Sequence, residues 1–116
     1  MYIDGFVLAV RSDRKEQYLE VARQAAAVFK EHGATRVVEC WGDDVPEGQV
    51  TSFPLAVKLE AGETALFSWI EYPDKETRER CMKASMEDPR LKMEPDQSMM
   101  DPKRMIYGGF QAILDT

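Results

Sequence analysis

Apolar and polar positions alternate loosely from Tyr2 to Val10, with Ile3, Val7 and Ala9 on one side and Tyr2, Asp4, Phe6 and Leu8 on the other. A period of two with apolar residues on both sides predicts a strand covered on both faces. The period then lengthens. Tyr18, Val21, Ala22, Ala25, Val28 and Phe29 recur as one helical stripe, which predicts a helix from about Arg14 to His32. Asp13, with Glu16 three places on, predicts a capping box at its start, and Gly33 a permissive stop.

The segment ATRVVECW is rich in β-branched and aromatic residues and predicts a second strand from about Thr35 to Trp41. GDDVPEG then marks a turn. TSFPLAVKLE reads as strand-like, with Pro54 restricting it to an edge or an irregular extension. From Thr64 to Tyr72 the alternation is clear: Ala65, Phe67, Trp69 and Glu71 oppose Leu66, Ser68, Ile70 and Tyr72. A second helix opens at Asp74 and ends near Asp88 before Pro89, with the small residues Thr77, Cys81, Ala84 and Ser85 forming its packing stripe. Asp88 to Lys103 has no clear period and reads as an ordered loop or lid. Met105 to about Leu114 predicts a last strand, in which Gly108 and Gly109 admit a bulge or the close approach of a backbone or ligand.

This order predicts one α+β domain over residues 1–116, a ferredoxin-like sandwich of one antiparallel sheet with two helices on one face. The second face is then left bare. Tyr2, Phe6, Leu8, Phe67, Trp69 and Tyr107 are assigned to it, too apolar a set to stay wet. A symmetric homodimer, sheet against sheet, is the expected solution.

Composition narrows the class of partner. Among 116 residues, 15 Lys and Arg face 21 Asp and Glu, for a net charge of -6. That balance argues against nucleic acid and anionic membranes as partners. No apolar run reaches the length of a membrane span, and the N-terminus lacks the basic residues and cleavage pattern of a signal peptide. The expectation is a cytoplasmic protein. Cys40 and Cys81, 41 positions apart with no C-x-x-C pairing, read as reduced structural thiols.

Longer strings carry a resemblance. DGFV, EHGATRVVECWGDDVPEGQVTSF, FSWIEYPDKETR, MEDPR and KRMIYGGF resemble the YbaA-like family of uncharacterised small bacterial proteins, over nearly the whole chain. The resemblance implies the dimeric α/β barrel superfamily, in which two ferredoxin-like subunits pair their sheets. That superfamily includes monooxygenases acting on quinols and polyketides, haem-degrading oxygenases and lactone isomerases. Shared fold is only an associational warrant for any of these chemistries. The single histidine, His32, falls at a predicted helix C-terminus, where capping is the expected role rather than iron ligation.

The residues that invite chemistry are two indoles and two carboxylates. Trp69 and Glu71 share one side of their strand, about 7 Å apart. If Glu39 and Trp41 face the same side, a cavity would bring all four together. Such a site would raise a carboxylate pKa and make Glu71 or Glu39 a general base beside a carbonyl. Asp4, Arg104 and Tyr107 are the expected companions, Arg104 as an anion clamp and Tyr107 as hydroxyl donor to an oxyanion. The opposing account makes the indoles core or interface anchors, with the glutamates paired to Arg36 or Arg104. Asp43, Asp44 and Glu47 in GDDVPEG lack the ligand spacing of a calcium loop and read as a solvated turn. No metal or cofactor is expected. The methionines from Met82 to Met105 read as core filler or as the wall of an adaptable apolar pocket.

Two functions follow from these residues. One is a cofactor-independent monooxygenase or isomerase acting on an aromatic or polyketide-like molecule. The other is a non-catalytic dimeric protein that binds a small hydrophobic or aromatic ligand or responds to stress.

Overall fold

The computed structural model describes residues 1–91 and 98–116. Four strands, β1 (Tyr2–Arg11), β2 (Arg36–Trp41), β3 (Glu63–Tyr72) and β4 (Ile106–Gln111), form one sheet in the order β2-β3-β1-β4. Every neighbouring pair is antiparallel. Two helices, α1 (Lys15–Glu31) and α3 (Lys75–Glu87), cover one face, and a one-turn helix, α2 (Phe53–Ala56), lies between β2 and β3. This is the ferredoxin-like arrangement.

Register decides which side chains meet the helices. Phe6 lies opposite Ser68 on one side and Tyr107 on the other, and Glu39 also lies opposite Ser68. Side chains directly opposite share a face. The helix-covered face therefore carries Tyr2, Asp4, Phe6, Leu8 and Val10 of β1, Leu66, Ser68, Ile70 and Tyr72 of β3, and Val37, Glu39 and Trp41 of β2. Its core forms two clusters: Leu8, Val10, Leu66 and Met99 against Tyr18 of α1, and Ile70 and Tyr72 against Cys81 of α3.

The opposite face carries Ile3, Val7, Val38, Cys40, Phe67, Trp69, Ile106 and Phe110. Among the described residues one end of it is covered, where Val57 packs on Val7 and Ala9. Phe67, Ile106 and Phe110 are 45%, 45% and 62% exposed. The expectation of a bare apolar face holds, but its membership changes. Tyr2, Phe6, Leu8 and Tyr107 sit under or beside the helices, leaving Phe67 and Trp69 from the expected set.

Several local expectations also change. Ser52 accepts a hydrogen bond from the Leu55 amide at 3.0 Å, and Pro54 occupies the first turn, so TSFPLA begins a helix where a strand was expected. Proline suits that turn because its missing N–H would be unpaired there anyway. The predicted capping box does not form. Residues 12–14 make a 3-10 turn, Ser12 bonds Thr64 at 2.6 Å, and Asp13 pairs with Arg11. Gly33 stops α1 with φ +121°, and a Cβ there would lie 2.9 Å from the Thr77 side chain. Gly109 leaves room for the Tyr2 ring of the adjacent strand, and the β1–β4 register runs without a bulge.

The expected lid from Asp88 to Lys103 falls partly outside the described residues. Its described ends are 3-10 turns at Pro89–Leu91 and Pro102–Arg104. Its later part docks on the sheet, where the Arg11 amide donates to Met99 O at 2.9 Å and Val10 bridges to Met100.

Candidate functional site

The predicted constellation separates across the sheet. Glu39 and Trp41 lie beneath the helices, while Trp69 and Glu71 lie on the uncovered face. There the Trp69 indole N–H donates to Glu71 Oε2 at 2.9 Å, and Arg36 sits 3.6 Å from the same oxygen. Phe67 packs on Trp69, ring centres 5.7 Å apart. Glu71 is thus held by an indole and a guanidinium beside an apolar patch, on the opposite side of the sheet from Glu39.

The expected companions are also occupied elsewhere. Asp4 is buried and receives Arg78 through its Nε and Nη2 at 3.0 and 2.8 Å, and Tyr72 Oη donates to it at 2.9 Å. Arg78 lies over the Tyr2 ring. Arg104 grips Glu63 with two bonds of 2.8 and 2.6 Å and reaches Lys58 O at 2.9 Å. Lys58 has φ 50°, a left-handed conformation uncommon for a side-chain-bearing residue. Arg104 therefore ties the entry of β4 to this turn; it is not an open anion clamp. Tyr107 is 72% exposed and stacks beside Phe6, and Trp41 packs at the edge of the core with Lys15 over its ring. His32 caps α1 with its backbone, while its ring bonds Asp88 at 3.0 Å.

The Arg104 bonds hold the Glu63 carboxyl below the usual glutamate range, against a smaller opposing effect of burial. A depressed folded-state pKa means that this pairing stabilises the fold fully above the ordinary glutamate pKa. The contribution disappears as pH falls through the lowered value. Arg104→Met is expected to flatten that acid limb of the stability curve. Urea melts of both proteins between neutral pH and pH 3 check this, and an unchanged limb would exclude the pairing as its source.

Glu39 occupies a different setting. A pocket of about 200 Å³ lies between α1 and the sheet. Tyr18, Ala22, Ala25, Ala26 and Phe29 of α1 form its roof, Phe6, Val37 and Ile70 its floor, and Met100 and Met105 one wall. The helical stripe explains the hollow: where α1 crosses the sheet its core-facing residues are alanines, too short to fill the gap. The polar groups in the lining are Glu39, Tyr18 and Ser68. Tyr18 Oη donates to Glu39 Oε2 at 2.9 Å, and Ser68 is a second hydrogen-bonding neighbour.

Burial pushes the Glu39 carboxyl up, and the two hydroxyl bonds only partly oppose it. Burial, followed by the Glu39 charge, drives the Tyr18 phenol far above its ordinary value, so it remains a donor. An acid with a raised folded-state pKa favours the fold below its ordinary pKa, and that contribution is lost as pH rises through the raised value. Glu39→Gln is accordingly expected to stabilise the protein at neutral pH, with the gain fading toward pH 4. Thermal melts across that range test the sign.

Glu39 also differs from the other carboxylates that are not fully exposed. Among the described residues, Asp4 pairs with Arg78 at 2.8 Å, Glu63 with Arg104 at 2.6 Å, and Asp88 with Arg90 at 2.7 Å. Asp101 lies 3.5 Å from Arg104, and Glu71 has Arg36. Glu39 alone has only hydroxyls. Sequence reading selected Glu39 but missed Tyr18 and Ser68. The i, i+3, i+4 alanines following Tyr18 were the available signal.

A larger hollow of about 810 Å³ lies at the surface between residues 42–48 and 54–65. Its half-buried carboxylate, Glu63, is already saturated by Arg104, so it has less to offer a ligand than the Glu39 pocket.

A sheet ordered β2-β3-β1-β4 beneath two long helices defines a ferredoxin-like α+β protein. A dimeric ferredoxin-like protein from an uncultured marine organism shares the fold with TM-score 0.64 at 11% identity, covering 100% of this chain and 98% of that one. An uncharacterized NIPSNAP domain protein from Burkholderia xenovorans matches with TM-score 0.61 at 12% identity, covering 100% and 99%. Such identities speak to the fold alone. The sequence is more specific: residues 1–102 match the family described as Protein of unknown function (DUF1428). The proteins called Uncharacterized protein YbaA of Escherichia coli K12 and Shigella flexneri are each 54% identical over 114 residues, covering 98% of this chain and 97% of theirs. The chain belongs to this family. Among the described residues, no helix is long and apolar enough to cross a membrane.

Proposed function

We propose that the protein is a homodimer that binds one small, ring-sized molecule between α1 and the sheet, with Glu39 as its polar anchor. The observation that carries this reading is the apolar pocket of about 200 Å³ containing a half-buried carboxyl. An apolar cavity of about 150 Å³ holds a benzene molecule, so the space suits a single substituted ring. The dimer is supported by the bare face around Phe67, Trp69, Ile106 and Phe110, and by the dimeric state named for the marine ferredoxin-like neighbour. Pairing these faces leaves both pockets on the outer, helical sides.

Methyl NMR of the alanines and methionines, recorded against a library of single-ring compounds, tests the pocket. Shifts confined to Ala22, Ala25, Ala26, Met100 and Met105 are expected. They should vanish in Ala25→Phe, which fills the space. Binding that persists in a folded Ala25→Phe would reject the site.

A second reading makes Glu39 a proton-transfer group, as an isomerase or cofactor-independent monooxygenase requires. Its support is the raised carboxyl, since burial brings a glutamate toward the range of a general base. Turnover of a single-ring ketone or quinol that is lost in Glu39→Gln would establish it. Equal turnover in the variant would dismiss it.

A further inference from the structure

Resting on the proposed pocket, we infer that its ligand is a small organic cation, a protonated or quaternary amine on an apolar body of about one ring, whose charge completes an ion pair with Glu39. The half-buried carboxylates elsewhere on the described chain each have an arginine or histidine partner. In the pocket no cationic side chain of the described residues lines the wall or pairs with Glu39. Lys15, at the start of α1, lies over Trp41, with its nitrogen 5.2 Å from the ring centre. A buried carboxylate without a counter-charge is costly, and a cation brought by the ligand would offset that cost.

The remaining lining fits the same class. Tyr18 and Ser68 bond the carboxyl but supply no positive charge. The rings of Phe6, Tyr18 and Phe29 surround the space, and aromatic walls favour an organic cation. An anionic ligand would meet Glu39 with like charge and no compensating donor cation. A neutral ligand would fill the volume but leave the carboxylate unpaired.

Three probes of one size separate these cases by calorimetry and methyl NMR at pH 7.5: benzylamine, benzyl alcohol and benzoate. Benzylamine is expected to bind at least about tenfold more tightly than benzyl alcohol, the scale of one charge-assisted hydrogen bond, with benzoate weakest. Glu39→Gln should erase the difference. Benzyltrimethylammonium keeps its charge at every pH, so its affinity for the unaltered protein should rise as Glu39 ionises and fall at lower pH. Tyr18 from α1 and Ser68 from β3 are the hydroxyl groups facing Glu39; the walls from β1 and from Met100 and Met105 add no charge. This titration serves even if the Gln variant folds poorly. Benzyl alcohol binding as tightly as benzylamine, or a preference surviving in folded Glu39→Gln, overturns the cation and leaves the pocket standing. If no probe shifts the pocket methyls, cation and pocket reading fall together.

Discussion

Arg78→Met is expected to lower the free energy of unfolding by about 3–5 kcal/mol, because it strands a buried carboxylate. The side chains of Asp4 and Arg78 are 6% and 18% exposed, and Arg78 reaches both carboxylate oxygens of Asp4. Among the described residues, the Tyr72 hydroxyl would be the one donor left to Asp4. Arg78 also joins α3 to the first strand and covers the Tyr2 ring, so its loss opens packing as well as charge. For a domain with total stability of about 5–15 kcal/mol, that is a large fraction. Urea denaturation measures it directly. Asp4→Asn with Arg78→Met should recover part of the loss, since the double variant no longer buries an unpaired charge. A loss below about 1 kcal/mol in Arg78→Met would mean that solvent reaches Asp4 and that the pair is only a surface contact.

Asp4 and Arg104 illustrate what a linear pattern conveys and what it omits. The chemistry of both was legible: an acid inside an apolar strand and an arginine ahead of the last strand each demand a partner. The partners were not legible, because they lie 74 and 41 positions away and depend on how α3 and the α2–β3 turn dock. The regular elements were read more easily. Alternation and the helical stripe placed β1, α1, β2, β3 and α3 close to their observed limits, since each repeats its signal over several residues. Residues 51–56 were misread because a one-turn helix has no period; its signal was the Ser52 cap with Pro54 behind it.

The division of the site has a related cause. Both sheet faces are apolar, so alternation reveals two sets without saying which set belongs under the helices. Between strands the relation is set by register, and a one-residue slip exchanges the faces. Glu39 opposite Ser68 puts Glu39 and Trp41 with Tyr18, and leaves Trp69 and Glu71 with Phe67. The pocket itself depended on α1 crossing the sheet at its alanines, a matter of docking that the stripe suggested but could not fix.

The same parity gives the proposed dimer its sharpest test. Phe67 is 45% exposed on a central strand of the bare face, against Phe53 and Trp69. In a face-to-face pair its ring would be fully desolvated, the setting in which truncation costs about 2–4 kcal/mol. Phe67→Ala is therefore expected to raise the dimer dissociation constant roughly 30- to 700-fold, and Phe67→Lys to give a monomer at micromolar concentration. Each chain should stay folded, because the ring already stands half clear of its own core. Tyr107 is the control: it is more exposed, at 72%, but lies on the helix-side face of β4. Tyr107→Lys should leave the dimer intact. Sedimentation velocity on the variants distinguishes the faces: dissociation by Tyr107→Lys but not by Phe67→Lys would reverse the assignment, and dimers in both would move the interface away from the sheet altogether.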